Sequence, residues 1–113
     1  MNANELFKTV QPMKSLLNMM YDIDEMVEKN NMEIVKEHDP TYFDLHEENG
    51  VKKYELRFEG EDKIIYVVAV SGAPHKTVQY HYKLYTEDEN RPKEFAESME
   101  RLEMLINKLK DDE

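Results

Sequence analysis

Between Ile64 and Val70 the chain reads Ile-Ile-Tyr-Val-Val-Ala-Val, apolar at both parities. An extended segment of this kind offers no face to water, so it belongs in the middle of a sheet with cover on both sides. It lies inside the stretch 63–86, which holds no Asp or Glu, although the whole chain has 25 of them against 15 Lys and Arg and a formal net charge of −10. The same window carries Lys63, His75, Lys76, His81 and Lys83, together with Tyr66, Tyr80, Tyr82 and Tyr85. Buried strands exclude carboxylates and account for the window with no further assumption. The functional alternative is a cationic spot, built from its Lys and His residues, that meets an acidic ligand or partner.

The rest of the chain arranges itself around that strand. Residues 10–30 are helical by period: Leu17, Met20, Asp24 and Val27 follow heptad spacing after Val10 and Met13, and a second stripe of Leu16, Met19, Ile23 and Met26 lies beside them, giving a wide, largely apolar face. That width suits a helix lying on a sheet. Thr9 is the expected N-cap, Pro12 falls in the first turn, and Asn30-Asn31 is the expected stop. Residues 32–86 read as antiparallel strands at about 41–47, 51–59, 63–71 and 77–86, separated near Gly50, Gly60 and Gly72. Asn49-Gly50 predicts a type I′ hairpin turn with positive φ at both positions. Met32–Glu37 is a candidate fifth strand, turned at Asp39-Pro40. Residues 91–110 predict a closing helix with Asn90 as cap, Pro92 in the first turn and a stripe of Phe95, Met99, Leu102, Ile106 and Leu109. The expected architecture over 1–113 is a single two-layer α+β domain: an N-terminal helix, a four- or five-stranded antiparallel meander and a C-terminal helix, with both helices on one sheet face.

Composition bounds the function classes. The absence of cysteine rules out disulfides, thiolate metal sites and cysteine nucleophiles. No run reaches the length of a membrane span, and the first residues lack a basic region followed by an apolar one, so the expected location is cytoplasmic. An acidic chain is not expected to bind nucleic acid directly, because phosphate contacts need clustered Lys and Arg, and an anionic membrane surface is disfavoured for the same reason.

Motifs for chemistry are lacking. Ser71-Gly-Ala-Pro-His-Lys-Thr77 has the composition of a phosphate loop but neither its spacing nor a following helix. His38, His46, His75 and His81 show no metal-ligand spacing. The paired carboxylates lie on helix faces or in turns, where solvation explains them. No nucleophile, base and orienter converge, so neither a catalytic residue, a cofactor nor a metal is expected, and the chain is read as not an enzyme.

The positive signal is the tyrosine-rich final strand. Tyr80, Tyr82 and Tyr85, with His81 and Lys83, are the expected partner-binding residues, and His75 and Lys76 the expected loop contacts. Chain order makes that strand an edge, and a homodimer is expected through that edge or through the second sheet face, whose partly apolar character predicts an oligomer or a partner. The expected function is a small acidic protein that binds or inhibits another protein, with a basic or nucleic-acid-binding partner favoured by the acidic rim and nucleic-acid mimicry as one form. The arrangement is loosely similar to small secretion-chaperone or immunity-type proteins, an analogy of fold that carries no function. The alternative is a small-ligand module with a Met- and Tyr-lined pocket between helices and sheet.

Overall fold

The computed structural model describes residues 15–43, 49–72, 81–86 and 93–111. Helix α1 (Leu16–Lys29) starts at Ser15, whose backbone is extended (φ −65°, ψ 156°) and whose hydroxyl accepts from the Asn18 amide. The helix therefore begins after Ser15 rather than near Thr9; Thr9 and Pro12 lie outside the described residues. It stops where expected. Asn30 caps it, its side-chain amide donating to the Met26 carbonyl at 2.8 Å, and Asn31 takes a left-handed φ of 55°.

The strands are β1 (Met32–Glu37), β2 (Thr41–Tyr42), β3 (Gly50–Phe58), β4 (Ile65–Ser71), β5 (Tyr82–Thr86) and β6 (Glu94–Ala96). All neighbours are antiparallel, in the order β1-β3-β4-β5-β6, with β2 also on β3. β4 is central, as its two-sided apolar sequence requires. β1 and β2 do not form a hairpin at Asp39-Pro40. Both run antiparallel to β3, β1 against its C-terminal half (Met32 opposite Phe58) and β2 against its N-terminal end (Tyr42 opposite Gly50). They are two pieces of one edge strand. The register slips once between Ile34 and Lys36 and again across the Asp39-Pro40 corner. Proline removes a ladder donor, so it sits where an edge strand is already interrupted.

The Asn49-Gly50 expectation also changes. Neither residue has positive φ; among the described residues only Asn31, Gly60 and Gly72 do. Asn49 instead accepts from the Phe43 amide, and Gly50 is the first residue of β3. Glycine is required there by proximity, since a Cβ would stand 2.4 Å from the Thr41 carbonyl oxygen.

The second helix, α2 (Met99–Asp111), begins at Met99 rather than at 91. Ser98 supplies the cap, its hydroxyl accepting from the Arg101 amide at 3.2 Å. Residues 94–96 pair with β5 instead, and the expected cap Asn90 and first-turn Pro92 fall outside the described residues. Both helices pack on one face of the sheet. Leu16, Met19, Ile23 and Met26 of α1 and Leu102, Ile106 and Leu109 of α2 form one core with Tyr54, Leu56, Val67, Tyr82 and Leu84. Asn107 ties the helices together by donating to Asn30 Oδ1 at 3.1 Å.

Candidate interaction surface

Side chains alternate across a strand, so the residues between those core positions face away from the helices. No described element packs on that second face. Its composition follows from register. One cross-strand row runs Lys36, Glu55, Tyr66, Tyr85 over β1, β3, β4 and β5. The next runs Lys53, Val68, Lys83, Phe95 over β3, β4, β5 and β6. A third places Val51 beside Val70, with His81, immediately before β5, next in line: its carbonyl accepts from the Val70 amide. Tyr66, Val68, Lys83 and Tyr85 are half-buried by their neighbours, and Phe95 is 39% exposed.

The electrostatics of this face differ from those of the whole molecule. Its two carboxylates are both engaged within the sheet: Glu33 accepts from Arg57, and Glu55 Oε2 lies 2.6 Å from His38 Nε2. The Lys53 ammonium stands 4.8 Å from the Tyr66 ring centroid, a cation–π contact that leaves its charge uncompensated. Lys36, Lys53 and Lys83 have no carboxylate partner among the described residues. The acids are on the other side. Helix α1 carries Asp22, Asp24, Glu25 and Glu28 against Lys29, and its outer ridge exposes Leu17 (55%) and Tyr21 (62%).

Of the residues expected at the surface, His81, Lys83 and Tyr85 lie on this face. Tyr82 does not: it points to the helices and is 1% exposed, because the register puts it in line with the core residues Ala69 and Ala96. Tyr80, His75 and Lys76 are outside the described residues. The strand is not an edge either, since β6 covers it, so pairing of a second copy along β5 is closed. Tyr66, Val68, Lys53 and Phe95 were not singled out by the sequence. Tyr66 and Val68 are hidden in a run apolar at both parities, and Phe95 fits a helical stripe as well as a strand.

The helix-side face holds a polar group of its own. Lys52 is buried, with its ammonium 3.8 Å from Glu37 and 5.4 Å from the Tyr54 ring centroid. The Tyr54 and Tyr82 hydroxyls are buried with no hydrogen-bond partner among the described residues. Desolvation raises the pKa of both well above that of an ordinary tyrosine; Asp24, Glu37 and Tyr82 add to it at Tyr54, and Asp22 adds to it at Tyr82. The residues that would line the alternative ligand pocket, Met19, Met26, Tyr54 and Tyr82, are each at most 1% exposed and packed together. A shallow notch bounded by Phe58, Lys63, Ile65 and Leu109 encloses no interior volume. Among the described residues no three His, Cys, Asp or Glu side chains gather to hold a metal ion, and no helix is long and apolar enough to cross a membrane. No family model, curated protein or solved structure matches the chain.

Proposed function

We propose that this protein acts by binding another protein, which it holds or inhibits, through the second face of its sheet. The observation that carries this reading is the pair of adjacent cross-strand rows, one setting Tyr66 beside Tyr85 and the other interleaving Lys53 and Lys83 with Val68 and Phe95. Tyrosines with an apolar body and a polar tip dominate the energetics of interfaces, and aromatic groups of this kind pack against a partner at low entropic cost. A cytoplasmic setting goes with this reading, as does the lack of cysteine.

The test is capture from lysate with tagged wild-type protein and with the double variant Tyr66→Ser/Tyr85→Ser, whose fold is checked by circular dichroism. The expected result is one stoichiometric protein retained by the wild type and lost by the folded variant. Equal capture by the two proteins would remove the sheet face from consideration.

A further inference from the structure

We infer that the occupant of the second sheet face is an acidic stretch of polypeptide whose carboxylates are interleaved with apolar side chains. This inference rests on the face being the binding surface, as proposed above, and adds the chemistry of what binds there.

Charge complementarity carries the inference. The face presents Lys36, Lys53, Lys83 and Arg57 against Glu33 and Glu55 in a chain whose net charge is −10. Both of its acids are already matched, by Arg57 and His38. What remains are three lysines without a carboxylate among the described residues. Lys53 and Lys83 flank Val68 on the two neighbouring strands, roughly 10 Å apart across the sheet. Tyr66 and Tyr85 lie side by side in the adjacent row. A ligand that fills this lattice needs anionic groups at the lysines and an apolar group over the tyrosines and Val68. A basic segment would leave those lysines facing like charge, which costs affinity.

Two other occupants fit less well. A second copy laid face to face would set the same lysines against each other. A single-stranded nucleic acid would find aromatic groups on which to stack, but it carries a charge at every step along its length. Beyond the face it would meet a molecule with a large excess of acid, whereas a peptide can confine its carboxylates to the lysine rows.

The full chain, panned against a random-peptide display library at low salt, tests this. The expected selection is of peptides with net negative charge and at least one large apolar residue. Their synthetic versions should bind at least about tenfold more weakly to Lys53→Glu/Lys83→Glu, with a smaller loss in Lys53→Gln/Lys83→Gln, and should weaken as salt is raised. Thermal melts of both variants establish that they fold. Selected peptides that are basic or uncharged, or that bind both lysine variants undiminished, would overturn the acidic assignment. If such peptides were still lost by Tyr66→Ser/Tyr85→Ser, the face would stand as the binding surface with a different ligand. Selection that does not distinguish wild type from the tyrosine variant would end both readings. Tighter binding of an oligothymidine, or of a peptide copying residues 16–29, than of any selected peptide would reassign the occupant to nucleic acid or to a second copy.

Discussion

Tyr54 and Tyr82 are placed by register, and their hydroxyls follow at a cost. A buried hydroxyl without a partner forfeits its hydrogen bonds to water, a penalty of about 1–3 kcal/mol. Tyr54→Phe and Tyr82→Phe keep the ring and remove the penalty, so each is expected to leave stability unchanged or raise it by about 1 kcal/mol, measured by urea denaturation. The same burial fixes how the protein responds to alkali. Both phenols have folded-state pKa values above the unfolded value of about 10. Their contribution to stability is therefore complete below about pH 10 and is lost as pH rises beyond it toward the folded values. Tyr54 and Tyr82 should resist ionisation in an ultraviolet titration until the fold gives way. In the double Phe variant the alkaline decline should be shallower. An unchanged alkaline limb would show that other groups drive it. None of this was visible in the sequence beyond the alternation itself, because Tyr80, Tyr82 and Tyr85 look alike until pairing decides that Tyr82 points inward.

At the level of elements, the chain is punctuated by short polar residues and glycines that act locally. Ser15 and Ser98 each cap a helix, and the removal of either hydroxyl by Ser→Ala is expected to cost about 1 kcal/mol in a denaturation midpoint analysis. Gly60 and Gly72 share a φ of 82°, yet their surroundings differ. Alanine at 60 meets nothing within 4 Å and carries backbone strain alone, about 1 kcal/mol, whereas alanine at 72 would also press its Cβ to within 2.7 Å of the Asn49 side chain. Gly72→Ala should therefore be the more destabilising of the two; the reverse order would mean that Asn49 yields freely. The sequence makes α1, β1, β3, β4 and α2 legible through period and strand alternation. It misplaces their starts where two signals compete. Phe95 extends the α2 stripe by spacing, but the hydrogen-bonded pairing of 94–96 with β5 outweighs helical propensity there. Asn49-Gly50 has turn composition, but Gly50 answers to the closeness of Thr41 rather than to φ. Asp39-Pro40 reads as a reversal and is a break in a strand that keeps its direction, a distinction that only the shared partner β3 reveals.

At the scale of the molecule, the described residues of α1 and of the second sheet face differ in charge. The outer ridge of α1 is acidic, and the opposite sheet face is basic and aromatic. Composition alone reports only the excess of acid and so points to a basic partner; the segregation depends on which parity of each strand faces the helices. The acid-free window marks both sides of the sheet at once, which is why it locates the candidate surface without separating Tyr82 from Tyr85. Among the described residues, one edge of the sheet is interrupted twice and the other is a strand of three residues, so neither offers a long run of unpaired amides and carbonyls. A binding mode based on adding a strand would be nearly indifferent to side-chain identity. A mode confined to the face depends on the side chains alone. On the proposed reading such a surface can be recoded: one or two substitutions in the lysine rows would change what is bound there, while the backbone ladder and the helix-side core remain untouched.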